Sequence, residues 1–208
     1  MCLQRLTEES HALFLVDRFV EYTKRNRMGP AGRGVELMEE SGITVVNQDI
    51  WHDTRLHFES DSFDLVTIFD VVEHLPGHPL KLLKEVRRVL KDKGAVLLSG
   101  PNLLGITERI KFLLLGKHPY MDFNLWIKEE YYSHYREYTR KEYCKLLDLS
   151  GFNAIHSIMV NEPLKTLALN RQAYGKYGGI KRIALFGMYA LASVFPNLKP
   201  TVYCVGEK

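Results

Sequence analysis

The chain has 208 residues, with 28 Lys and Arg against 25 Asp and Glu and 46% apolar residues. That length suits one domain with a sizeable core, and the composition excludes a disordered tail, a collagen-like chain and a disulfide miniprotein. A formal charge of +3 is too small to point to nucleic acid unless it is clustered, and the basic residues form no single stripe. Cys2, Cys144 and Cys204 form no CxxC unit. Sparse cysteines fit a reducing, cytoplasmic setting and exclude a local zinc knuckle. The N-terminus soon turns charged and lacks a signal-peptide core. The run Ile183–Phe195 is shorter than the ~20 residues a membrane-spanning helix needs.

In chain order, residues 10–27 read as a helix with Phe14, Val16, Phe19 and Val20 on its apolar side. Gly29-Pro30-Ala31-Gly32 ends it, and Val35–Ser41 forms a short second helix stopped by Gly42. Ile43–Val46 is a β-branched run, the pattern of a buried strand. Phe63–Phe69 is a stronger strand, Leu80–Leu90 a helix, and Lys91–Gly94 a polar stop before the strand Ala95–Leu98. Strand, helix, strand with fully apolar strands predicts a parallel sheet covered by helices. Ile106–Leu115 reads as a helix, followed by an aromatic stretch from Tyr120 to Tyr138. Thr139 and Glu142 form a capping box for the next helix, which ends at Gly151. Phe152–Val160 and Thr201–Val205 are two late strands with helical material between them.

The block Asp61–Leu75, with Phe63-Asp64-Leu65-Val66-Thr67-Ile68-Phe69-Asp70-Val71-Val72-Glu73-His74, is followed by Glu85–Gly94 and then by Leu97-Leu98-Ser99-Gly100-Pro101-Asn102. Together with His134–Thr139 and Gly151-Phe152, this order resembles the later half of class I S-adenosylmethionine-dependent methyltransferases of the type-11 group, over roughly residues 42–160. The resemblance implies an α/β, Rossmann-like sheet covered by helices, doubly wound, with a reversed final strand. In it Ile43–Val46 is the third strand, Phe63–Phe69 the fourth and Ala95–Ser99 the fifth, and the late strands are the sixth and seventh. The whole chain then forms one methyltransferase-like domain, with a cap insertion at 103–138 and a helical segment at 161–200.

Ligands of such open sheets bind beyond the carboxyl ends of the strands. By itself Asp49 reads as a solvent-facing acid closing a strand, with Trp51 finishing the core. In register with the fourth-strand block, the resemblance makes Asp49 the acceptor for the adenine amino group, with Ile50 and Trp51 covering the ring. Phe69, Asp70 and Val71 then pass the methionine portion of S-adenosylmethionine. Glu73 and His74 suggest a metal or acid–base pair, but adjacent residues do not share a helix face and no third ligand stands out, so no metal is expected. His74 is the candidate catalytic group, against a reading in which it only shapes the loop. His134 and Arg136 are candidate substrate contacts, or parts of a loop-to-helix junction.

The front end departs from the family pattern. The only glycine cluster, Gly29–Gly34, follows the polar segment Tyr22–Met28 and lacks the spacing of a cofactor loop. Gly32 and Gly34 are its cofactor-binding candidates. Glu36 resembles the acid at the end of the second strand, where the ribose hydroxyls bind. Only 14 residues separate Gly34 from Asp49, too few for the usual elements. A deletion, a missing internal segment, or a rearrangement that recruits an N-terminal element each accounts for this. The function expected is methyl transfer from S-adenosylmethionine to a small or amphipathic molecule. The alternative is a noncatalytic methyltransferase-like binding or scaffold protein. The aromatic stretch and the apolar helices near Leu113 and Leu185 are either a substrate cap or a second packing layer. Lys176, Lys181 and Arg182 before Ile183–Phe195 leave open a shallow membrane-surface contact. Exposed sheet edges leave open a homo-oligomer.

Overall fold

The computed structural model describes residues 12–17, 34–50, 52–118, 134–161 and 179–208. The chain divides into two units, Met1–His57 and Phe58–Lys208, each described by itself.

In the first unit, strand β1 (Leu13–Asp17) and strand β2 (Ile43–Asn47) pair in parallel, from Leu13 opposite Ile43 to Asp17 opposite Asn47. Helix α1 (Gly34–Glu40) precedes β2 and ends in a turn at Gly42. The helix expected over residues 10–27 is therefore corrected at its start. Ala12-Leu13-Phe14-Leu15-Val16 is a continuous apolar run, and such a run suits a strand as well as a helix face. Tertiary pairing with β2 selects the strand, and the rest of that expected helix, residues 18–27, lies outside the described residues. The placing of Glu36 at a strand end is corrected too, because Glu36 is exposed in the first turn of α1.

The second unit carries a four-stranded sheet in the order β3-β4-β6-β5, built from β3 (Phe63–Phe69), β4 (Leu90–Pro101), β5 (Asn153–Val160) and β6 (Thr201–Glu207). β3 and β4 run parallel, and β6 lies antiparallel between β4 and β5. That is the mixed sheet with a reversed final strand that the resemblance implies. The polar stop Lys91–Gly94 is a bulge within β4. Phe63 pairs with Leu90 and Leu65 with Ala95, so four residues of β4 stand against one of β3, with Lys93 at a positive φ of 65°.

Helix α2 (Leu80–Val89) joins β3 to β4 and buries Leu82, Leu83, Val86 and Val89. Those positions recur at helical spacing, so one stripe packs on the sheet while Lys81 and Lys84 face water. Helix α3 (Ile106–Leu115) follows β4, and helix α5 (Gly179–Val194) precedes β6. Ile106 packs with Tyr189 and Ala192 in a small cluster joining α3 and α5. None of the helices among the described residues is long and apolar enough to cross a membrane.

Helix α4 (Arg140–Leu149) lies between these two and starts at the expected capping box. Thr139 Oγ1 accepts from the Glu142 N–H at 3.3 Å, and the Glu142 carboxylate accepts from the Thr139 N–H at 2.8 Å. At the other end Gly151 takes φ +88°, and its carbonyl accepts from Arg87 Nε of α2 at 2.9 Å. Tyr143 and Leu147 on the inner side of α4 are wholly buried.

Glu142 has its pKa lowered: partial burial opposes ionisation, but the Thr139 backbone and hydroxyl contacts and Arg136 outweigh it. A carboxylate depressed in the folded state stabilises above its unfolded pKa, and that contribution is lost as pH falls through the folded value. Thr139→Ala is expected to cost about 1 kcal/mol in urea denaturation at neutral pH. Glu142→Gln should lower stability at pH 7, and the difference should shrink as pH falls below the ordinary carboxylate range of about 4.

Candidate active site

The site is built where β3 ends. Asp70, the first residue beyond β3, has φ +52°, an uncommon conformation for a residue other than glycine. Its N–H still donates to the Ser99 carbonyl of β4 at 3.2 Å, so the chain leaves the sheet in a sharp turn. Val72–His74 then forms a single 3₁₀ turn. Phe69 and Asp70 are exposed there and Val71 is half-buried.

Glu73 is fully buried. Its backbone carbonyl accepts from the N–H groups of Tyr135 and Arg136, at 2.7 and 3.3 Å. This pair of bonds fastens the segment ahead of α4 onto the turn after β3. His134 is thereby brought against His74, ring centroids 4.5 Å apart and nearly perpendicular at 84°. His134 Nδ1 is bonded to the Glu137 carboxylate, and Glu137 is also buried. Sequence reasoning found no third group for Glu73 and His74 because His134 lies far along the chain. The structure closes that gap.

Beneath this cluster, Gly100 of β4 lets the Tyr143 ring approach. A Cβ there would sit 2.1 Å from the Tyr143 hydroxyl oxygen and 3.4 Å from Glu73 Oε2. The same hydroxyl donates to the Pro101 carbonyl at 3.3 Å. Gly100→Ala must displace a wholly buried ring, so a loss of about 2 kcal/mol or more is expected in chemical denaturation.

The electrostatics follow from burial. Desolvation pushes the Glu73 carboxyl up to about 7, with Asp70 and Glu137 adding repulsion and its own backbone amide and His134 opposing. Burial also raises Glu137, against the pull of His134. For His134 burial opposes protonation, but Glu137, Glu73 and Asp70 outweigh it and its pKa is raised. The Tyr143 hydroxyl is raised by burial and stays protonated.

A carboxyl raised on folding contributes most below its unfolded pKa, and that contribution is lost as pH rises from about 4.5 toward 7. Glu73→Gln, measured by thermal denaturation with a chelator present, is therefore expected to be more stable than the parent at pH 8. The gain should be about 1–3 kcal/mol and vanish near pH 4.5.

Next to the cluster is a groove of about 460 Å³, lined among others by Leu75, Pro79, Arg136, Tyr138 and Leu146. Arg136 is exposed there, ion-paired with Glu142 at 2.8 Å and stacked over Tyr138 at 5.2 Å. Leu75 and Tyr135, also in its wall, directly follow His74 and His134 in sequence. His74 and His134 are both half-buried.

In the first unit, Asp49 follows β2. Its Oδ2 meets His52 Nδ1 at 2.8 Å and its side chain is 32% exposed. Gln48 anchors the loop beyond it, donating to the Arg55 carbonyl at 2.5 Å and accepting from the His57 N–H at 3.3 Å. Ile50 is half-buried in this turn, while Trp51 and Gly32 lie outside the described residues. Gly34 is the first residue of α1.

A methyltransferase domain family matches residues 7–157. The chain belongs to that family. Among solved structures the chain is similar to an S-adenosylmethionine-dependent methyltransferase from Mesorhizobium loti. The match has 17% identity and a TM-score of 0.56, covering 95% of this chain and 80% of that one. A methyltransferase from Archaeoglobus fulgidus matches at 16% identity and a TM-score of 0.52, over 95% and 86% of the two chains. Phosphoethanolamine N-methyltransferase 2 of Haemonchus contortus, solved with S-adenosyl-L-methionine, matches at 14% and a TM-score of 0.52. There the methyltransferase domain described here spans 99% of its own length and 50% of the nematode enzyme. Comparison with curated protein sequences gives no match.

S-adenosylmethionine is the methyl donor this family implies, and the polar groups present fit it. Asp49, partly exposed just beyond β2, is a carboxylate of the kind that accepts an amino N–H. The exposed turn at Phe69 and Asp70 stands at the carboxyl end of β3, where ligands of open α/β sheets bind.

Proposed function

We propose that this methyltransferase transfers the methyl group of S-adenosylmethionine to a small or amphipathic acceptor in a cytoplasmic setting. The observation that carries the reading is the turn at Asp70. It opens the carboxyl end of β3 and leads directly into Glu73 and His74. On the family pattern, Asp49 and Ile50 of the first unit are the candidates for the adenine, and Phe69, Asp70 and Val71 of the second are the candidates for the methionine portion. When bound, the sulfonium supplies a methyl electrophile with its own leaving group, so catalysis rests mainly on orientation.

His74 is the group placed to take a proton from an acceptor that must lose one. Arg136, in the wall of the groove, meets an acceptor's negative charge in this reading, and His134 contacts the acceptor itself. An amphipathic acceptor is supported by α3, where Phe112, Leu113, Leu114 and Leu115 are all more than half exposed among the described residues.

Calorimetric titration of the purified chain with S-adenosylmethionine and S-adenosylhomocysteine tests this. Saturable binding is expected, weakened about tenfold or more by Asp49→Ala, the worth of one hydrogen bond to a charged group. A folded chain that binds neither compound refutes the enzyme reading and leaves a methyltransferase-like scaffold.

A further inference from the structure

Burying an ionisable carboxyl without a partner is among the most costly arrangements a protein can hold. Glu73 is 0% exposed, and no other described residue gives either of its carboxylate oxygens a hydrogen bond. Two imidazoles converge on it. One donor atom each from Glu73, His74 and His134 lie within 4.8 Å of one another. Three separate features of the fold bring this about. The 3₁₀ turn supplies Glu73 and His74, the Glu73 carbonyl fixes the backbone at Tyr135 and Arg136, and the edge-to-face packing of the rings sets their angle.

We infer that Glu73, His74 and His134 form a binding site for a divalent first-row transition-metal ion. One carboxylate with two imidazoles is a donor set for Zn²⁺ and its neighbours rather than for Ca²⁺ or Mg²⁺. The spacing is that of an open site which small side-chain rotations close around bonds of about 2.0–2.2 Å.

The surroundings have the form such a site needs. Glu137, 8% exposed, is bonded to His134 Nδ1. A carboxylate bonded to a ring nitrogen of a ligating histidine fixes the ring's orientation and raises its basicity, an arrangement common at metal sites. Glu137 is thus a positioning residue. The adjacency of two residues on a short turn hid this set in the sequence, because Glu73 and His74 reach a common point only with a ring supplied from the far side of α3. An ion held by three protein donors keeps positions for water or an oxygen-bearing ligand, and His74 and His134 act on the acceptor as proposed above only in the ion-free chain. The groove walls at Leu75 and Tyr135 directly follow two of the donors in the chain.

The test uses the full chain, stripped with a chelator and titrated with Co²⁺ alone, followed by competition with Zn²⁺. One Co²⁺ per chain is expected, with a ligand-field absorption that Zn²⁺ abolishes. His74→Ala and His134→Ala should each weaken binding at least tenfold, while His156→Ala, on exposed β5, should leave it unchanged. Glu137→Gln should weaken it by about 10–100-fold while keeping the same absorption spectrum. Should the histidine variants not fold, histidine ¹⁵N spectra of the parent chain decide. Zn²⁺ must then shift two of its eight histidines and leave the others in place. A chain that binds neither ion overturns the site, as does binding that both histidine substitutions leave intact. The readout is the ion alone, so a failure to bind S-adenosylmethionine does not touch this result, nor the reverse.

Discussion

A carboxyl group taken wholly out of water is the constraint around which the second unit is arranged. Glu73 reaches the interior because the chain turns through a positive φ at Asp70 and coils once. Its side chain then lies over the β4 backbone, where Gly100 has no Cβ to meet it. Its main chain satisfies two N–H groups of the segment leading into α4. Burial raises its pKa to about 7, so near neutrality it is poised between carrying a charge and carrying a proton. Tyr143, His134 and Glu137 pack around it, and all three have pKa values moved by the same desolvation and by each other's charge.

The rest of the unit holds that arrangement rigid. β4 is the sheet's best-buried strand, flanked by β3 in parallel and by β6 in antiparallel. α2 buries four apolar side chains on one face, and α4 is fixed at both ends, by a capping box and by Arg87 on the Gly151 carbonyl. The site's two segments, the turn after β3 and the approach to α4, therefore hang from elements that are bonded to one another. Precise placement of side chains by a stiff scaffold is what an orientation-dependent reaction requires.

Much of the second unit was legible in the sequence. Phe63–Phe69, the helix beginning at Leu80 and the helix Ile106–Leu115 are long periodic or apolar segments, the strongest local signals there are. The Thr139 and Glu142 capping box has local chemistry and needs no tertiary contact to be recognised. The first unit was harder. Leu13–Asp17 has five residues, and an apolar run of that length suits either a strand or a helix face; only β2 alongside it settles the matter. Its pairing also shows that an N-terminal element stands beside β2, which the short span between Gly34 and Asp49 left open. Glu36 could be read as a strand terminus because three residues carry too little periodicity to separate a strand end from a first helical turn.

For the site the division is sharper. Sequence alone determined the parallel sheet, the helices over it, the strand end at Phe69–Val71 and the family to which these belong, because each rests on local pattern and spacing along the chain. It also singled out Glu73, His74, His134 and Arg136, but as separate pieces. Tertiary structure alone decided that Glu73 is buried with no hydrogen bond from another described residue, and that His134 stands edge-on to His74. The physical reason is distance along the chain. Burial, desolvation and the convergence of donor atoms are properties of groups that meet only after α2, β4 and α3 have brought the chain back, and no local pattern records them.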